Sequence, residues 1–117
     1  MRLILYGTET DRDEFMHAVT ALPDLRYRKM QVSCCPDYDS FIAGLGESPP
    51  DGIVVVMDGA DGMEGVIAAR SVCRQVPVLW FSDDNGFGVQ SYRLGCAYFH
   101  KKPVSPQILS AAIARCV

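Results

Sequence analysis

The chain has 117 residues, 49% of them hydrophobic and 21% charged, with a formal net charge of −3. That supplies one sizeable core, so residues 1–117 are expected to form one domain, and the acidic balance speaks against a nucleic-acid-binding surface. No apolar run approaches the roughly 20 residues of a membrane helix, and Met1-Arg2 leads straight into a short strand rather than a signal peptide, so a soluble, cytoplasmic protein with no membrane contact is expected.

Leu3 to Tyr6 reads as a short apolar strand, followed by the polar Gly7-Thr8-Glu9-Thr10. A helix is predicted from Asp11, because Phe15, Ala18, Val19 and Leu22 recur at helical spacing; Asp11, Asp13 and Glu14 load its first turn and Pro23 stops it. Leu25 to Ser33 alternates and predicts an outer strand guarded by Arg26, Arg28 and Lys29. Pro36 to Leu45 predicts a short helix with Tyr38, Phe41, Ile42 and Leu45 on its apolar side and Gly46 at its stop.

The run Asp51-Gly-Ile-Val-Val-Val-Met-Asp58 is too short for a free-standing helix and has the look of a strand buried on both faces. Asp58 then falls at the carboxyl end of a central strand, where ligands and chemistry collect in open α/β sheets. The plainer reading is that Asp58 starts a turn or caps the next helix. That helix is predicted over Gly62 to Gln75, with Met63, Val66 and Ile67 inward and Ala68-Ala69 giving close packing. Val76 to Phe81 is a second continuous apolar strand ending at Ser82, with Trp80 as core filler. Asp83-Asp84-Asn85-Gly86 is loop chemistry whose carboxylates cap a weak helix, Phe87 to Leu94, that ends at Gly95.

Cys96 to Phe99 predicts a fifth strand, ended by Lys101-Lys102-Pro103. Ser105-Pro106 supplies a cap and a first-turn proline for a last helix, with Ile108, Leu109, Ala112, Ile113 and Cys116 on its buried face. Strand and helix alternate five times, which implies an α/β fold: a flavodoxin-like, doubly wound, five-stranded parallel sheet with helices on both sides. The five cysteines have no Cys-x-x-Cys pair or second half of a zinc site, and read as reduced thiols packed as small hydrophobes. His17 and His100 have no partner at ligand spacing.

Three polar residues gather at carboxyl ends of strands: Asp58 after the third, Ser82 after the fourth and Lys102 after the fifth. A carboxylate that attacks, with a hydroxyl and an ammonium to hold phosphoryl oxygens, makes a phosphoryl site. Strand alternation sends one of Lys101 and Lys102 into that site and leaves the other solvated. With these residues the chain resembles the response-regulator receiver domains of two-component signalling, of the CheY type. The most specific stretches are Pro77-Val78-Leu79-Trp80-Phe81-Ser82 and Gly95-Cys96-Ala97-Tyr98-Phe99-His100-Lys101-Lys102-Pro103. The resemblance implies a (βα)5 receiver in which Ser82 and Lys102 are site residues, Lys102 precedes a cis Pro103, Phe99 is the aromatic switch and Asp58 is the candidate phosphoacceptor. Gly62-Met63-Glu64-Gly65 is similar to the family's glycine-bearing segment after the acceptor loop.

The chain also departs from the family. Gly7 and Thr8 stand where the family holds magnesium with two acidic residues, leaving Glu9 and Asp58 for at most a weak Mg2+ site. Counting back from Gly65 puts the acceptor at Met57, and counting forward from Pro50-Asp51 puts it at Val56; Asp58 serves if the following loop is one residue shorter. The expectation is an atypical receiver with impaired metal binding and phosphorylation. It is not an enzyme; it regulates an output such as transcription through a sensor histidine kinase, another signalling protein or a homodimer. The last helix is expected to end at Val117, leaving room for a DNA-binding or other output domain in the native protein. A second resemblance, of Tyr6-Gly7-Thr8-Glu9-Thr10 to the flavodoxin phosphate loop, implies a flavin-binding electron carrier. Asp11 and Asp13 would then face the flavin phosphate, which opposes it electrostatically.

Overall fold

Five short apolar stretches form strands β1 (Arg2–Tyr6), β2 (Gln31–Cys35), β3 (Gly52–Val55), β4 (Val78–Ser82) and β5 (Tyr98–Lys101). Between and after them run helices α1 (Glu9–Thr20), α2 (Tyr38–Glu47), α3 (Gly59–Val72), α4 (Gly88–Arg93) and α5 (Pro106–Ile113). The structure, a computed structural model, describes residues 1–116. All strand pairs are parallel, in the order β2-β1-β3-β4-β5. This is the expected doubly wound, flavodoxin-like α/β sheet. The order reverses between β1 and β3, which opens a crevice at their carboxyl ends.

Alternation along the strands splits the core into two layers. Leu3, Leu5, Val54, Val56, Leu79 and Phe81 pack against α1 and α5, where Phe15 and Leu109 are fully buried. Ile4, Tyr6, Ile53, Val55, Val78 and Trp80 face α2 and α3, against Phe41 and Val66. Burial on both faces is why β3 and β4 read as unbroken apolar runs. Among the described residues no helix is long and apolar enough to cross a membrane.

Several predicted boundaries move, each for a local reason. Leu25 to Met30 is not strand: Arg26 folds back on Asp24 through its backbone N–H and guanidinium, and a 3-10 turn spans Tyr27–Lys29. The guanidinium of Arg28 donates to the Leu22 carbonyl. The alternation there came from a turn that tucks Tyr27 partly under α1, and β2 begins only at Gln31. Helix α2 runs through Gly46 to Glu47 and stops ahead of Pro49-Pro50, whose rings cannot continue it. Helix α1 begins two residues early because Thr8 and Asp11 form a reciprocal capping box. Strand β5 lies two residues further along than expected and includes Lys101. Asp84 does cap the turn before α4, and Ser105 caps α5 ahead of Pro106. The expected helix end at Val117 lies outside the described residues.

Helix α3 differs most in character. It starts at Gly59, directly after Asp58, and Ile67 faces solvent instead of the core. Its buried side is made of small residues: Gly62, Gly65, Ala68 and Ala69 beside Val66. A Cβ on Gly62 would sit 2.2 Å from the Met57 carbonyl oxygen, and one on Gly65 would sit 2.6 Å from the Tyr6 ring. These two glycines let α3 settle onto the ends of β1 and β3, while Tyr6 stacks on Phe41 with centroids 4.7 Å apart. Gly62→Ala should therefore cost about 1–3 kcal/mol through overpacking against backbone. Gly46→Ala, with open space around it, should be neutral or stabilising by up to about 1 kcal/mol. Urea unfolding followed by the fluorescence of the single tryptophan, Trp80, measures both, and equal effects would contradict this account of α3.

Candidate functional site at the carboxyl edge of the sheet

The candidate site lies over the crevice between β1 and β3. Asp58 occupies the N-cap position of α3 but makes no side-chain cap bond. Its carboxylate instead accepts a 2.6 Å hydrogen bond from the Lys102 ammonium. Lys102 comes from the opposite part of the edge, just after β5, on a cis Lys102-Pro103 bond. The same ammonium donates to Asp11 at 2.8 Å, so one cation is clamped by two carboxylates. Lys102 and Asp11 are 15% and 14% exposed at the side chain, and Asp58 is 56% exposed. Burial pulls the Lys102 ammonium down, but the hydrogen bonds and charges of Asp11 and Asp58 outweigh it and hold its pKa above the usual 10.5. The neighbouring Lys101 is exposed, so alternation along β5 separates the two lysines as expected.

Ser82 is fully buried at the end of β4. Its carbonyl accepts the Lys102 backbone N–H at 2.8 Å. Its hydroxyl lies 3.3 Å from Asp83 Oδ1 and accepts the Asp84 N–H at 3.1 Å. Asp83 Oδ1 in turn accepts the Gly59 N–H at 3.1 Å, the first N–H of α3. A continuous polar belt thus runs from Ser82 through Asp83 and Gly59 to Asp58, Lys102, Asp11 and Thr8. Phe99 stands below it, edge-on to Trp80 at 5.3 Å, and Phe87 covers the other side of Trp80 at 5.4 Å. Pro103 leads into Val104, whose N–H is held by Glu14 at 2.9 Å.

Sequence reasoning missed Asp11 as a site residue, reading it as a helix-start anion. It is that as well: the Thr8 N–H and hydroxyl both donate to Asp11 Oδ2, at 3.2 and 2.9 Å, while Oδ1 takes Lys102. The one available signal was a carboxylate a single helical turn past the end of β1. Thr8 therefore has no free donor for a flavin phosphate, and the phosphate-loop resemblance is not matched by a phosphate cradle.

The magnesium donor set does not fit. Gly7 is buried and bonds its N–H to the Cys35 carbonyl, and a Cβ there would lie 2.3 Å from Val56 Cγ2. A valine methyl thus fills the space beside the end of β1. Glu9 is 81% exposed and sits 3.6 Å from Arg12, so Glu9 and Asp58 are engaged by different cations. Among the described residues no three His, Cys, Asp or Glu side chains are grouped to hold a metal ion. The five cysteines are free thiols, and burial pushes those of Cys96 and Cys116 up to about 11.

No protein-family model matches the sequence, and no curated protein matches it. Solved structures do. A protein described as a CpaE2 pilus assembly protein of Sinorhizobium meliloti shares 19% identity at a TM-score of 0.75, covering 100% of both chains. The chemotaxis response regulator CheY4 of Vibrio cholerae shares 18% identity at a TM-score of 0.74, covering 99% of this chain and 98% of its own. The receiver domain of the sensor histidine kinase PA1611 of Pseudomonas aeruginosa, solved with magnesium coordinated in its active-site cleft, shares 17% identity at a TM-score of 0.71, covering 97% and 94%. The fold is that of the CheY-like receiver domains, as the sequence resemblance implied.

Two outcomes follow from the clamp. Lys102→Met should lower the unfolding free energy by about 1–3 kcal/mol at pH 7, because it strands the largely buried Asp11 charge. A lysine whose folded pKa is raised contributes stability that is complete below pH 10.5 and lost as pH rises through the folded-state value. The gap between wild type and Lys102→Met should therefore be full at pH 8 and shrink above pH 10.5; a gap independent of pH would remove the ion pairs as its cause. In addition, purified protein should be colourless and should show no binding of flavin mononucleotide at micromolar concentration by fluorescence quenching. Tight binding at that level would restore the electron-carrier reading.

Proposed function

We propose that the chain is a signal-transduction module of receiver fold that acts through protein contacts and not through phosphoryl transfer. The observation that carries this reading is the engagement of the Lys102 ammonium by both Asp11 and Asp58. In phosphoryl transfer to a carboxylate, the cation must be available to the incoming phosphoryl oxygens, and a hard divalent ion must neutralise the rest of their charge. Here the cation is neutralised by its own neighbours, and the positions that would supply metal ligands hold Gly7 and Thr8. Asp58, the candidate acceptor, would have to give up a charge-assisted bond before it could attack.

Val56 supports the same reading from a different direction. On the register counted from Pro50-Asp51 it takes the acceptor's place, and its methyl packs on Gly7 where a carboxylate and a metal would need water and charge. Ser82, the expected phosphoryl-binding hydroxyl, is spent on the turn to Asp84. Phe99, the expected switch aromatic, is packed on Trp80, which gives it a structural role without any phosphorylation signal. Under this reading the module is regulatory and not an enzyme. Its partners are signalling proteins, a sensor histidine kinase among them, or a second copy, and its output, such as transcription, is set by those contacts. Fold alone does not fix that output, and the similar structures themselves include a pilus assembly protein as well as a chemotaxis regulator.

Intact mass after incubation with acetyl phosphate and magnesium tests the reading directly. No phosphoryl addition is expected over minutes, and magnesium should leave the Trp80 fluorescence unchanged at millimolar concentration. Rapid, magnesium-dependent addition of one phosphoryl group, abolished by Asp58→Asn, would refute it and restore the ordinary phosphorelay. Labelling that survives Asp58→Asn would move the acceptor elsewhere, with Asp61 the first carboxylate to test.

A further inference from the structure

The net charge of −3 conceals a strong separation of charge along the strand axis. In a parallel α/β sheet every strand ends, and every helix begins, on the carboxyl edge. Of the 14 Asp and Glu residues, all but Asp24, Glu47 and Asp51 fall on that edge or in the first two turns of the helices that start there. Of the 11 Lys and Arg residues, only Arg12, Lys101 and Lys102 accompany them. The carboxyl edge therefore carries 11 acids against 3 bases, a net of −8, and the amino edge carries 8 bases against 3 acids, a net of +5. Those two figures add to the whole-chain −3.

Helix dipoles favour part of this, since they select anions in first turns and cations in last turns. They do not account for Arg2 at the start of β1, for Arg26, Arg28 and Lys29 ahead of β2, or for Arg74 beyond α3. These lie outside the helices and still crowd the amino edge. The basic face that acidic composition spoke against is present, hidden by a larger acidic face on the opposite end.

From this we propose that the protein associates with a second copy head to tail, the basic amino edge of one molecule on the acidic carboxyl edge of the next. The proposal rests on the contact-driven reading above and names the partner. Two like ends repel and unlike ends attract, so the fields select the head-to-tail orientation over a two-fold dimer through either edge. The Cα extents are 32 × 32 × 26 Å, so an end face offers on the order of 800 Å² per partner, the size of a standard specific interface. Because every pair or longer assembly keeps one free edge of each sign, the contact does not close and grows into chains as concentration rises. Pairs of exposed charges are screened over about 10 Å at 0.1 M salt, so the association is salt-sensitive.

Sedimentation velocity of the purified chain across protein concentration, at about 0.02 and 0.3 M salt, should show species beyond the monomer at low salt and a dissociation constant at least about tenfold weaker at high salt. Arg74→Glu, Arg93→Glu and Arg115→Glu together take the amino edge from +5 to −1, and Asp13→Lys, Asp39→Lys, Asp61→Lys and Glu64→Lys together take the carboxyl edge from −8 to 0; all seven side chains are exposed. Each multiple variant alone should remain monomeric. Their mixture should form a one-to-one pair that does not grow, because the first keeps the acidic edge and the second keeps the basic one. A monomer at every salt and concentration would overturn the proposal, as would self-association indifferent to salt or to the charge reversals. Monomeric protein whose basic edge is retained on vesicles of anionic phospholipid would also overturn it, assigning that edge to an external polyanion. Phosphorylation is read by mass and self-association by sedimentation, so the two proposals fail separately.

Discussion

One ammonium group ties together three elements at the carboxyl edge of the sheet. Lys102 reaches from the end of β5 to Asp58 at the head of α3 and Asp11 in the first turn of α1. Three elements that meet only in the tertiary structure are held through charge-assisted bonds, which are about twice as strong as neutral ones. Two carboxylates face the one ammonium, Asp58 exposed and Asp11 shielded.

The space beside the clamp is set by an apolar contact rather than a polar one. Gly7 accommodates the Val56 methyl, and no larger residue at position 7 fits without displacing it. Val56 in turn belongs to the core layer under α1 and α5. The edge of that core layer thus reaches the space beside the end of β1.

The polar belt also joins the site to its surroundings. Asp83 links the end of β4 to the first N–H of α3, and Glu14 holds the chain just beyond Pro103. Every loop at the carboxyl edge is therefore pinned by a carboxylate, and these same carboxylates build the acidic face. Stability at the edge and its external field have one source.

What the sequence determined by itself was the architecture and the edge of the sheet on which Asp58, Ser82 and Lys102 fall. Continuous apolar runs between helical patterns specify a parallel sheet, and polar residues at their ends fall on one edge by topology alone. That is why Asp58, Ser82 and Lys102 could be placed on that edge before any coordinates, while alternation said only that one of Lys101 and Lys102 points inward and the family resemblance named Lys102. The tertiary structure decided what period and spacing do not encode. It decided that Asp11 turns one oxygen to its own helix cap and the other to Lys102, a choice made across 91 residues of chain. It decided that Gly7 faces Val56, that the alternation before Gln31 belongs to a turn held by Asp24, and that α3 buries glycines where Ile67 was expected. Local sequence fixes which faces are apolar, but distances of a few ångströms between elements arise only from packing, and the chemistry of a site depends on those distances.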